Sequence, residues 1–274
     1  MTNNFVLYKI SHVVNSKLLK NDNSYHNNIY FVKGYNISEK IYEQFIMQLK
    51  NSKINYIEES KLTNYNYLLQ KQKYFAPTFL YHSYLNSNII IKNNNFIGLI
   101  EYDIDYILDC NESLTYNKNL NIDKNNFNLY NEINKIINLN FNNDFILFFS
   151  VRHKLNDLYK QNFITINNIH WLDYFIQDYN KRFKKTYKKN DILKEYGNQM
   201  IGTQQSFLSS KYIFFKISKY INEFINDNIN NTYYPMPSTL LERFISMFLL
   251  LENCNKYYIP LKHNAIGFKT NYNY

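Results

Sequence analysis

Hydrophobic positions along this chain alternate between two periods. Residues 5–10 (FVLYKI) and 29–33 (IYFVK) are short β-branched and aromatic runs, the second followed by Gly34, and both predict strands. In "SEKIYEQFIMQLK" the period changes: Ile41, Phe45, Ile46 and Leu49 fall on one helical face behind Ser38, a suitable N-cap. A third strand is predicted at 54–57, and a short helix in "APTFLYHSYLNS", where Pro77 in the first turn costs no hydrogen bond. Residues 96–102 follow as a buried strand. The uninterrupted apolar run 145–151 suits the middle of a sheet covered on both faces. Beyond it the pattern is mostly helical, over roughly 169–183, 206–225 and 238–252, with short extended pieces at 200–202 and 257–260.

Strands alternating with helices predict an α/β fold with a Rossmann-like sheet and a helix-rich C-terminal half. No repeat recurs at a fixed period and no Gly/Ser/Pro-rich linker divides the chain, so a single domain over 1–274 is expected. Residues 1–110 and 145–274 form its two halves, and 111–144 reads as an Asn-rich insertion with a loop-like first part.

Composition narrows the classes. With 274 residues, 45% hydrophobic and 18% aromatic, the chain can bury a large core. Its longest apolar runs fall short of the ~20 residues of a membrane span, and its first ten residues lack a signal-peptide layout. A soluble, cytoplasmic protein is expected. Two cysteines, Cys110 and Cys254, supply neither a disulfide framework nor a paired-thiolate site. The net charge of +9 points to an anionic partner. The basic run "NKRFKKTYKKN", 180–190, would serve nucleic acid, a phospholipid surface in peripheral contact, or a phosphorylated sugar carrier, and equally a solvated helix end. Abundant Asn, Ile, Lys and Tyr with little Gly, Pro or Ala reflects codon usage more than mechanism.

Candidate chemistry concentrates in "NNFIGLIEYDID", residues 94–105. A strand ending in Asp103 and Asp105 puts carboxylates where α/β folds collect ligands. One intervening residue in extended backbone sets both on one face. Two such carboxylates suit Mg²⁺ or Mn²⁺ bridging to a diphosphate; an ordinary acidic turn has the same spelling. Near "GNQMIGTQQSFLSSK", Gln204 and Gln205 precede a helix and could bind sugar hydroxyls or simply form a loop and cap.

The order strand, helix, strand, helix, then "FIGLIEYDID" resembles the GT-A class of nucleotide-sugar glycosyltransferases. More narrowly, "IYFVKGYN", "FLYHSYLN", "FIGLIEYDIDY" and "PSTLLERFISMFLLL" resemble a capsule-type polysaccharide glycosyltransferase family. Members of that family have basic residues where this chain has Asp103 and Asp105. The resemblance implies a metal-dependent transferase moving a sugar from a nucleotide-diphosphate donor to a glycan or other hydroxyl acceptor. It implies Asp105 as direct metal ligand and Asp103 as its partner on ribose or through water. It also implies His263, in "YYIPLKHNAIGF", as a third ligand to Mn²⁺ or Mg²⁺, and Lys262 or Arg243 as counter-charges for the diphosphate. Glu242 would be the base that takes the acceptor proton. Glu242 has a structural reading too, since a carboxylate in the first turn of a helix capped by Ser238 or Thr239 is favoured by the helix dipole.

Other chemistries lack their motifs: there is no phosphate loop, no Gly-x-Gly-x-x-Gly, no His-Glu-x-x-His and no Gly-x-Ser-x-Gly. Basic charge, tyrosines and an aspartate pair would also serve a nucleotidyltransferase or a metal-dependent nuclease, but the Gly-Ser turn of the former is missing, and nucleic acid is the less favoured partner. A glycosyltransferase fold retained only for binding is the third alternative. The sequence does not specify the oligomeric state.

Overall fold

The computed structural model describes residues 5–12, 14, 28–33, 37–52, 54–109, 122–123, 125–140, 143–149, 153–201 and 206–263. Its strands are β1 (Phe5–Ser11), β2 (Asn28–Phe31), β3 (Asn55–Glu58), β4 (Phe96–Glu101), β5 (Ile104–Leu108), β6 (Phe145–Phe149), β7 (His153–Lys154), β8 (Thr165–Ile166), β9 (Ile169–His170), β10 (Met200–Ile201), β11 (Phe207–Ser210), β12 (Tyr233–Tyr234), β13 (Asn255–Ile259) and β14 (Leu261–His263). Its helices are α1 (Glu39–Asn51), α2 (Tyr67–Lys71), α3 (Thr78–Leu85), α4 (Ser87–Ile90), α5 (Leu129–Leu139), α6 (Leu155–Tyr159), α7 (Trp171–Phe183), α8 (Lys189–Tyr196), α9 (Lys211–Asn228) and α10 (Pro237–Leu251).

Seven strands form one mixed sheet in the order β13-β6-β11-β4-β1-β2-β3. Strands β3, β2, β1 and β4 pair in parallel, β11 runs against both β4 and β6, and β13 is parallel to β6. Only β11 is reversed, so the other six strands end on one edge of the sheet.

Period-2 alternation sorts side chains to two faces. Tyr8, Ile10, Ile97, Leu99, Ile146 and Phe148 enter the larger core, shared with α3, α7, α9 and α10. Ile100, Phe145, Leu147 and Phe149 point the other way, onto Ile133, Ile136 and Ile137 of α5. Beside them α1 covers Ile29 and Phe31 with Phe45 and Leu49. The mixed α/β expectation holds, with helices on both faces. Helix α5, within the segment read as an insertion, supplies part of the covering layer. Ser38 caps α1 as expected, its Oγ accepting from the Ile41 N–H at 3.4 Å.

Two elements differ from the sequence expectation. The helix expected over 206–225 opens instead as strand β11. Phe207 enters one core and Leu208 the other, a split that demands extended backbone; α9 starts only at Lys211, with Ser210 as its cap. Helix α10 starts at Pro237, and neither Ser238 nor Thr239 caps it, because proline's fixed φ and missing N–H suit the first helical position.

Gly98 explains why β4 tolerates two such close neighbours. A Cβ there would lie 2.7 Å from Leu7 Cδ1 and 2.8 Å from the Phe207 carbonyl oxygen. After β4 the chain turns through Tyr102 and Asp103 into β5, which pairs antiparallel with β14 outside the main sheet. Ile104 lies opposite His263 in that ribbon.

Candidate functional site

The sheet register assembles a site from five separated segments. Ile10 pairs with Glu101, so the ends of the two strands, Ser11 and then His12 from β1, Tyr102 and Asp103 after β4, come side by side at the edge of the sheet. Because β11 is reversed, its beginning reaches the same edge, and the Glu101 backbone N–H donates to Ser206 Oγ at 3.1 Å. The β5–β14 ribbon sets His263 Nε2 2.8 Å from Asp103 Oδ2. Both side chains are almost enclosed, at 10% and 6% exposure. The other oxygen, Asp103 Oδ1, is buried and has no hydrogen-bond partner among the described residues.

Helix α10 approaches from the helical half. Glu242, its sixth residue, keeps 29% of its side chain exposed, whereas the neighbouring Arg243 is buried at 8%. Arg243 turns away from the edge: Nη2 donates to Gln161 Oε1 at 2.7 Å and Nη1 to the Thr239 carbonyl at 2.9 Å, while Nη1 stays 3.6 Å from Glu242 Oε2. The His12 ring stacks on Phe75 at 5.1 Å and meets Tyr102 edge-on at 5.2 Å.

These groups share one electrostatic problem. Burial pushes the Glu242 carboxyl up to about 8; Arg243 opposes the shift and the Asp103 charge adds to it. Enclosure on most sides with a partly open carboxyl describes a recess. Glu101 is lifted well above the usual carboxylate range, first by burial and then by the charges of Asp103 and Glu242. Burial pulls His12 down to about 4 against the attraction of Asp103. Asp103 thus acts on three neighbours at once, and the crowded negative charge would be relieved by a cation.

The structure brings Asp103, His263 and Glu242 to one edge. Asp105 stands two residues on, partly buried in β5. Asp103 itself lies in the turn between β4 and β5, so the extended geometry assumed for the pair does not apply to it. Lys262 is exposed on β14, and Gln204, Gln205 and Gly34 lie outside the described residues. Among the described residues no group of three or more His, Cys, Asp or Glu side chains is arranged to hold a metal ion. What fits a hard cation is the uncommitted Asp103 oxygen, beside two carboxyls whose ionisation burial and the Asp103 charge oppose and a cation would favour.

Sequence reasoning missed Glu101 and His12. Glu101 had a signal, as the one charged residue closing an otherwise apolar strand. His12 had none until the register of β1 on β4 was known.

No protein-family model matches the chain, and no curated protein matches it. The mixed seven-stranded sheet with helices on both faces is an α/β, GT-A-like fold. Among solved structures the chain is similar to an apo structure of WbbM, a bifunctional glycosyltransferase, with a TM-score of 0.50 and 14% identity across 95% of its residues. It spans 45% of that longer chain.

Proposed function

We propose that the protein is a glycosyltransferase that moves a sugar from a nucleotide-diphosphate donor to an acceptor hydroxyl at this recess. The observation that carries the proposal is Asp103: a buried carboxylate fixed by His263, with one oxygen uncommitted, at the carboxyl edge of the sheet and acting electrostatically on Glu242. In α/β sheets that edge is where nucleotides and their phosphates bind.

The unpartnered Asp103 Oδ1 would meet a Mn²⁺ or Mg²⁺ carried in with the donor diphosphate, while Asp105 and His263, which are not grouped with it as a ligand set, would have to move to join it. Such an ion would neutralise charge that develops on the leaving diphosphate. The chain's own groups have separate tasks. His263 orients the Asp103 carboxylate through Oδ2. Glu242, open on one side, would in its ionised form take the proton of the acceptor hydroxyl as the new glycosidic bond forms. Burial raises this carboxyl to about 8, which makes the carboxylate a stronger base but leaves most of it protonated at neutrality, so the rate should rise towards pH 8. Arg243, spent on Gln161 and Thr239, would stiffen the Glu242 turn; Lys262, Gln204 and Gln205 would contact donor or acceptor. Glu101 and Ser206 would brace the turn that carries Asp103.

Thermal unfolding of the full chain with UDP- and GDP-sugars, with and without Mn²⁺, tests this. A matching donor at a hundredfold excess over its Kd would stabilise the protein by about 2.7 kcal/mol, in a metal-dependent manner, and Asp103→Asn, by weakening binding about 10–100-fold, would cut the gain to about 0.4–1.4 kcal/mol. If no nucleotide sugar raises the melting temperature while DNA or RNA binds in a salt-sensitive way, the proposal fails and a nucleic-acid enzyme takes its place.

A further inference from the structure

Six of the eleven residues in 180–190 are Lys or Arg, and none is acidic. Two of the six are consumed within the protein. Arg182 holds Asp178 and Asp227, each at 2.9 Å, and Lys189 holds Asp173 at 2.8 Å. Lys181, Lys184, Lys185 and Lys188 are exposed, and no ion pair engages them among the described residues.

The segment that carries them is fixed in shape. Lys184 ends α7 in the left-handed conformation, φ 51°. The Asn180 side chain then clamps the return: Nδ2 donates to the Tyr187 carbonyl at 2.8 Å, and Oδ1 accepts the Tyr187 N–H at 3.0 Å. The Lys185 N–H adds a bond of 3.1 Å to the Asn180 carbonyl. Ordering entropy that a flexible basic tail would lose on binding is already lost here.

Aromatic side chains adjoin the lysines. Phe183, the last residue of α7, has Lys216 of α9 5.7 Å from its ring. Tyr212, four residues before Lys216, and Lys219, three after it, share its helix face. Tyr212 is 65% exposed and Phe215 40%, although a Phe215 ring contact with Tyr84 at 5.3 Å holds it in place.

We infer that this face docks the protein on an anionic lipid bilayer. Lysine ammonium groups are hydrated point charges, well matched to a diffuse layer of phosphate headgroups, whereas nucleic-acid recognition favours arginine's planar fork, and the single arginine here is committed to carboxylates. Phe183 within the lysine segment, and the exposed Tyr212 and Phe215 of α9, whose Lys216 lies over the Phe183 ring while paired with Glu252, match the interfacial level of a membrane, where amphipathic rings settle. Among the described helices none is long and apolar enough to cross a membrane, so the attachment is to the surface. The inference stands on the patch and is independent of the chemistry proposed at Asp103.

The full chain is cosedimented with phosphatidylcholine vesicles, with and without phosphatidylglycerol. Binding is expected only when phosphatidylglycerol is present, and it weakens as salt rises. Each lysine removed lowers partitioning about fivefold, so the quadruple serine variant at Lys181, Lys184, Lys185 and Lys188 should lose on the order of a hundredfold or more. The double change Tyr212→Ser with Phe215→Ser should weaken binding while leaving its salt dependence in place. All six positions are exposed, and circular dichroism melting confirms that each variant stays folded. Equal binding to neutral vesicles, an undiminished quadruple variant, or displacement of the vesicles by an RNA oligomer would each overturn the inference.

Discussion

Two groups of buried acids lie near the same end of the sheet, and they are treated in opposite ways. Glu59, just after β3, is fully buried, and every oxygen has a donor: Gln70 Nε2 reaches Oε2 at 2.7 Å, while Thr78 Oγ1 at 2.5 Å, His82 Nδ1 at 3.0 Å and Tyr30 Oη at 3.3 Å converge on Oε1. His82 Nε2 accepts the Asn66 N–H, so the proton sits on Nδ1, facing Glu59. Around Asp103, by contrast, one buried oxygen lacks a donor and two more carboxyls crowd in from Glu101 and Glu242. A saturated buried carboxylate holds structure together. An unsaturated one marks where a ligand would complete the set.

The contrast can be broken from either side. Glu59→Ala should have the largest effect, because it strands four buried donors; we expect a loss of about 3–5 kcal/mol in chemical denaturation. Asp103→Asn, by the same measurement, should cost little or even stabilise, since it removes a charge that its neighbours resist, while donor affinity in the presence of metal falls about 10–100-fold. If both substitutions destabilise equally, the distinction between the two acid groups collapses.

Glu242→Gln should give a smaller and pH-dependent effect. The folded protein holds this proton up to about 8 against an ordinary value of 4.5, so the group contributes full stability at low pH and loses it as pH rises through that window. The variant should therefore melt higher than the parent at pH 8.5, by roughly 2 °C per kcal/mol, and at the same temperature as the parent near pH 4. Its transferase rate should be low throughout. His12→Phe should have the least effect at neutral pH, under about 1 kcal/mol. His12 titrates in the opposite sense: its folded value near 4 lies below the ordinary 6.5, so its contribution is present above 6.5 and lost as pH falls to 4. The phenylalanine variant should flatten that acid limb in a melting series.

Local pattern alone makes much of the fold legible. The apolar runs are β1, β4 and β6, Ser38 is a cap, and the periodic segments are α7 and α10, because in each case burial and backbone preference agree within a few residues. Strand β11 escapes such reading since "FLSS" owes its extended form to β4 and β6 on either side, partners far away in sequence. The same holds for the site. Asp103 stands out as a charge just past an apolar strand, whereas the His263 contact depends on a ribbon joining residues 160 apart. His12 and Glu101 become neighbours only through a parallel register, which sequence periodicity does not encode.

The reversed strand β11 also sets an order of events during synthesis. Its residues, Phe207–Ser210, fill the gap between β4 and β6. Until they leave the ribosome, two central strands wait with open hydrogen-bonding edges, and Ser206, Glu242 and His263 have not arrived at the turn of Asp103. A nascent chain halted before residue 206 would therefore be a substrate for chaperones, with its recess still unbuilt.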